Sequence, residues 1–203
     1  MTHPYAGRGT DAEIKTSVDT GCDTMDELTM EEFKDRLGAA DENVKELLGF
    51  EPSIGKILLY LSMSAALDCA DAAEPDDAVA SDIEIIDNII DLASTLEGRE
   101  EGKLEFAEAV LDEQEWLDLF LDAQGFLEDV INSHLEEFGG ETEDERIDAY
   151  TEVSNSLVYM CASACTMCTD PRKAFISCKA SIEETYQFIN EECTLVSKDE
   201  IEN

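Results

Sequence analysis

The sequence predicts an all-α protein, an antiparallel helical bundle of four to five long helices preceded by two short ones. Two observations carry this. Apolar residues recur at helical spacing in run after run, and capping residues, glycines and prolines punctuate those runs. No strand-like alternation of useful length interrupts them.

Residues 1–25 mix Gly, Thr, Asp and Pro without a period and are expected to form a flexible N-terminal segment. Residues 26–195 are expected to form a single domain, and 196–203 a flexible tail. The first short helix should open at Thr29, where Thr29-Met30-Glu31-Glu32 has the form of a capping box, and stop at Gly38. The second should run from about Asp41 to Leu48 and stop at Gly49.

The long helices follow. Residues 53–73 carry Ile54, Leu58, Leu61 and Ala65 on one face, before Pro75. A second box, Ser81 to Glu84, should start a helix with Ile83, Ile86, Ile90 and Ala93 inward, stopping at Gly98. Residues 101–138 hold a heptad-like stripe of Phe106, Val110, Leu117, Phe120, Leu127, Ile131, His134 and Phe138. Gly125 is a candidate kink within it. Between Ala149 and Thr169 the single charge is Glu152, which predicts a helix buried in the middle of the bundle. Asp170-Pro171 reads as an N-cap followed by proline at the first helical position, launching a last helix to about Cys193.

The charge is extreme. Fifty Asp and Glu stand against 13 Lys and Arg, for a formal net charge of −37. The acids number 12, 12, 17 and 9 in residues 1–50, 51–100, 101–150 and 151–203, so they are spread along the chain rather than gathered in a tail. Such a surface repels itself in dilute buffer. At molar salt the Debye length falls to about 3 Å and the repulsion is screened. The expectation is a cytoplasmic protein of a halophile. The alternative is a mimic of nucleic-acid charge that occupies a basic protein. Direct nucleic-acid binding requires a basic footprint that is missing, and anionic membrane surfaces are disfavoured for the same reason. No apolar run follows Met1, so no secretory signal is expected.

Five of the seven cysteines lie in the last 43 residues. Cys161, Cys165 and Cys168 form a C-x3-C-x2-C pattern whose offsets put three thiols on one helical stripe. A turn at Asp170-Pro171 would bring Cys178 opposite the gap between Cys161 and Cys165. Soft sulfur ligands converging from two helices suit Cu(I), Zn²⁺ or an iron–sulfur cluster. Packing explains the same residues without a metal, because free cysteine buries as a small hydrophobe and Ile147, Tyr150, Ser154, Leu157, Cys161, Ala164 and Cys168 form a heptad seam. A redox dithiol pair is the third reading. The motif is similar to that of radical SAM enzymes, but Met167 replaces the usual aromatic residue, the motif falls on a predicted helix, and only 35 residues follow. The stretch also resembles cysteine-rich four-helix copper-storage proteins, which line a bundle interior with C-x3-C pairs.

Other patterns are less specific. Asp76-Asp77-x4-Asp82 matches the D-D-x4-D motif of all-helical prenyl-diphosphate synthases, without a second aspartate-rich motif. Glu105/Glu108, Glu115/Asp118 and Glu145/Asp148 supply the carboxylate pairs of a Mg²⁺-dependent helical nucleotide pyrophosphatase. His134 reads as a core histidine and Trp116 as an anchor at the bundle edge. The leading expectation is a non-enzymatic protein acting through a protein partner. Soft-metal binding through Cys161, Cys165, Cys168 and Cys178 comes second, and a Mg²⁺-dependent hydrolase third.

Overall fold

The computed structural model describes residues 28–96, 102–139 and 142–201. The expected lead-in at 1–25 and the stop at Gly98 lie outside them. Among the described residues the chain is helical: α1 Met30–Phe50, α2 Ile54–Ala70, α3 Pro75–Ser94, α4 Glu113–Phe138, α5 Glu143–Thr166 and α6 Pro171–Ile201. No helix among them is long and apolar enough to cross a membrane.

The architecture is two helices wrapped by four. α2 and α5 each pack against all five others, whereas among the described helices α1 and α4 pack their backbones on α2 and α5 alone. Both central helices are poor in charge where they are enclosed. In α2 only Lys56 and Asp68 are charged, and α5 is buried continuously from Leu157 to Cys165. A helix apolar all round has no solvent face to offer and must sit inside.

Local signals set most helix starts. Thr29/Glu32, Asp112/Glu115 and Thr142/Glu145 are reciprocal capping boxes. Ser53 accepts from the Lys56 amide, and Asp170 from the Lys173 amide at 3.0 Å, with Pro171 at the first helical position.

Several expected boundaries are corrected. The two short N-terminal helices are one, α1, which passes through Gly38. A Cβ there would meet nothing, so this glycine faces open space and weakens the helix without breaking it. Burial of Phe33, Leu37, Ala40 and Val44 holds both halves on the core. α3 starts at Pro75 rather than Ser81, which lies inside it; proline at the first position with Asp76 and Asp77 in the first turn is the stronger start signal. α6 continues through Ile201, past Cys193, because no glycine or proline stops it.

The largest correction concerns residues 102–112, which are an extended strap rather than the first turns of α4. Leu104 accepts from the Thr169 amide at 2.9 Å and donates its own to the Met167 carbonyl at 3.0 Å, bridging to the α5–α6 turn. Further along, Ala107 crosses α2 so closely that a Cβ on Gly55 would stand 1.9 Å from its carbonyl oxygen. Gly102 is equally confined, its would-be Cβ 2.2 Å from the Cys168 carbonyl oxygen. Phe106 is buried by the strap, but Val110 is 92% exposed, so the heptad stripe fails there. Helix begins only where Asp112 and Glu115 supply a cap, and Gly125 leaves α4 unbroken.

Scarce cations are placed at seams. Arg36 of α1 grips Glu152 of α5 through both guanidinium nitrogens, at 3.0 and 2.9 Å. Arg172 of α6 holds Asp87 and Asp91 of α3. Trp116 stacks on Phe120 and meets Phe188 of α6 edge-on at 4.9 Å, closing one edge of the bundle.

Candidate functional site

Two features stand out, one inside the bundle and one on its surface. The internal one is sulfur-rich. Cys161 and Cys165 sit one turn apart on α5, Cys178 comes from α6 and Ser62 from α2, and all four are fully buried. Cys178 is within hydrogen-bonding reach of both Cys161 and Cys165. Ser62 directs its hydroxyl at the Cys178 sulfur at 3.3 Å while also bonding the Leu58 carbonyl at 2.7 Å.

These contacts divide the thiols electrostatically. Hydrogen bonds from Cys161 and Cys165, then from Ser62, favour the thiolate at Cys178 and hold it well below the ordinary thiol range against the opposing effect of burial. Cys161 and Cys165 are pushed well up, by their hydrogen bonds to Cys178 and then by burial. Cys168 stands apart. Its thiol bonds the Ala164 carbonyl at 3.3 Å, and burial, with the Asp170 charge, pushes it up to about 11. Three of the four cysteines singled out by spacing are therefore in contact and the fourth is engaged elsewhere. Among the described residues no group of three or more His, Cys, Asp or Glu side chains is disposed to hold a metal ion.

Beside the thiols lies a carboxyl pair, Asp68 and Asp82, of which Asp82 alone figured in a sequence motif. Cys69 donates to Asp82 at 3.2 Å, and Asp82 is only 5% exposed. Burial pushes Asp82 up to about 7, against the hydrogen bond from Cys69, with the Asp68 charge adding to the rise. Asp68 accepts from Ser154 at 2.5 Å, and burial raises it to about 6. The signal was present: Asp82 is in register with Ile86, Ile89, Ile90 and Ala93, and Cys69 with Leu58, Leu61 and Ala65, so both occupy inward positions.

The other sequence candidates are employed structurally. Asp82 points into the core while Asp76 accepts from the Tyr186 hydroxyl at 2.7 Å, so the D-D-x4-D pattern does not converge. Glu115 and Glu145 close capping boxes, Asp118 accepts from Gln114 at 2.7 Å, and Glu105 and Glu108 lie on the extended strap. His134 is half-buried with Nδ1 at 2.9 Å from the Val130 carbonyl.

The surface feature is a cleft of about 400 Å³ where the end of α1, the start of α2, the strap and the start of α4 meet. Leu47, Ile57, Tyr60, Leu111 and Leu119 line it, with Phe50, 90% exposed, at its edge. Glu51, Glu115, Asp118 and Asp122 add four carboxylates, against the one ammonium of Lys56, which pairs with Glu51 at 3.8 Å. Burial, Asp122 and Asp129 push the Tyr60 phenol up to about 12, consistent with a negative field there. Sequence patterning could not find this cleft, because four elements distant in the chain build it. No protein-family model, curated protein or solved structure matches the chain significantly.

Proposed function

We propose that this chain is a non-enzymatic helical-bundle protein that works by binding a protein partner at the α1–α2–α4 cleft, in the salt-rich cytoplasm of a halophile. The carrying observation is the cleft itself: an apolar floor with an exposed aromatic at its edge, ringed by carboxylates. Exposed aromatic residues beside a groove are anchors of the kind that dominate binding energy. The charge favours one occupant, the apolar face of an amphipathic helix whose flanks carry Lys or Arg. Screening at molar salt removes most long-range attraction, so the apolar contacts carry affinity and the carboxylates act at contact distance. The remaining helices serve as an antiparallel scaffold holding the four cleft elements in register.

The test is fluorescence anisotropy in molar KCl with two labelled synthetic helices, one of Leu and Lys and its Leu and Glu counterpart. The first should bind and the second should not. Phe50→Asp should weaken binding at least tenfold while leaving the circular dichroism unchanged. Equal binding of both helices, or binding indifferent to Phe50, refutes the reading. The halophile assignment has its own check: the folded state should lose stability as KCl is withdrawn.

A second reading is soft-metal binding, Cu(I) or Zn²⁺, or an iron–sulfur cluster, with Cys161, Cys165, Cys168 and Cys178 as ligands. The contact of Cys178 with Cys161 and Cys165 favours it. The Cys168 thiol would have to leave Ala164 to join them. Stoichiometric metal in protein purified without chelator supports it, and metal-free protein with all thiols titratable after unfolding removes it.

A further inference from the structure

We propose that the strap of residues 102–112 is a movable wall of the partner cleft: seated, it completes the cleft, and lifted, it dismantles it, so that partner binding and seating of the strap promote each other. The inference rests on the reading of the cleft as a partner site. Its basis is the path of the strap. Leu111, near the end of the strap, lines the cleft. Ala107 lies across Gly55, whose added Cβ would stand 1.9 Å from the Ala107 carbonyl oxygen and 3.3 Å from the Ala109 amide nitrogen. Gly55 immediately precedes Lys56 and Ile57, and both of these line the cleft. The seat of the strap and one side of the cleft are therefore the same turn of α2. Lifting the strap removes Leu111 and uncovers that turn.

At its other end the strap is tied away from the cleft. Leu104 donates to the Met167 carbonyl and accepts from the Thr169 amide, both in the α5–α6 turn. Leu111 lies seven residues on from Leu104, on the order of 20 Å of extended chain. Phe106 is the one buried side chain between them, and the Lys173 ammonium of α6 lies 5.7 Å from its ring centroid. Glu105, Ala107, Glu108 and Val110 are exposed. Two hydrogen bonds and one ring are a slight hold beside helices that bury a whole face, and segments of that kind open first. The seat on Gly55 lies between the tie and the wall, so loss of the tie frees both. A partner that grips Leu111 and Ile57 together binds the seated strap and not the lifted one. It shifts the population toward seating, and by linkage seating raises its affinity by the same factor. A disturbance of the α5–α6 turn then weakens binding at a surface to which neither α5 nor α6 contributes a lining residue.

The test is hydrogen exchange of the full chain in molar KCl, with and without the synthetic Leu and Lys helix at saturation, read at single amides by nuclear magnetic resonance. The Leu104 and Thr169 amides should exchange at least about fivefold more slowly with the helix bound. The Thr95 amide, at the end of α3 and away from the cleft, should keep its rate. Phe106→Ala loosens the strap at a residue that does not line the cleft, and should weaken helix binding at least about fivefold by fluorescence anisotropy. Phe106→Leu, which keeps an apolar side chain in that place, should restore most of the affinity. A helix that binds while Leu104 and Thr169 exchange as before, or slow no more than Thr95, overturns the movable wall and leaves the partner reading standing. Full affinity in Phe106→Ala does the same. A helix that fails to bind the wild type overturns both. Exchange in the wild type decides the matter even where a variant fails to fold.

Discussion

The central pair of helices and the four around them differ in what they do with polar atoms. α1 and α3 show water one face and the core the other, so their polar side chains need no internal partner. α2, and α5 beyond Tyr150, have almost no such face, and their polar groups there must be satisfied inside. Ser62 and Ser64 bond the carbonyls one turn back, at 2.7 and 3.0 Å. Ser154 serves Asp68, Ser163 reaches Asp41 of α1 at 2.7 Å, and Cys69 serves Asp82. The contrast shows where this molecule keeps its reactive groups. Among the described residues the buried aspartate is Asp82, and most other acidic side chains lie at partly or fully exposed positions. The perturbed thiols and carboxyls gather at the enclosed pair.

The sharpest way to break the comparison is truncation. Leu157→Ala, in a fully buried stretch of α5, should cost about 3–5 kcal/mol in urea unfolding at molar KCl. Ile176→Ala on α6, 68% exposed, should cost less than about 0.5 kcal/mol. Similar costs at the two positions would mean that α5 is not the packed centre.

Next in size is a pH effect. Asp82 is raised from 3.8 to about 7 in the folded state, so that state keeps a proton which the unfolded chain has released. Its contribution to stability is fully present below pH 3.8 and is lost as pH rises through about 7. At about 1.4 kcal/mol per unit this amounts to on the order of 4 kcal/mol. Asp82→Asn, which cannot ionise, should flatten the fall in unfolding free energy between pH 5 and pH 8 relative to the wild type. An unchanged slope would place the titrating group elsewhere, with Asp68, raised to about 6, the next to test in the same way.

The smallest contrast is between two glycines. Gly55→Ala drives a Cβ into the Ala107 carbonyl and should cost about 1–3 kcal/mol, because the strap has to shift. Gly38→Ala, with open space around it, should stabilise α1 by up to about 1 kcal/mol. Equal effects would show that the strap is not seated against α2.

The same division explains how far the sequence could be read. Helix content, most starts and the enclosed position of α5 were legible, because capping and charge depletion are local signals. The thiol trio was partly legible, since helical spacing and the Asp170-Pro171 turn bring Cys178 to Cys161 and Cys165. The strap was not. Phe106 and Val110 fit a helical stripe by spacing, and only the distant residues Cys168 and Gly55 hold that segment extended. Asp82 was read as the last carboxylate of the Asp76-Asp77-x4-Asp82 pattern, and its register with Ile86 and Ala93 is what marks it as facing the core.

The strap also constrains the order of events during synthesis. Leu104 leaves the ribosome long before Met167 and Thr169, the residues its backbone bonds. Until the α5–α6 turn has been made, this length of nascent chain lacks the fastening that holds it. It is a clasp closed near the end of assembly, and the N-terminal half of the molecule must wait for the C-terminal half to lock it.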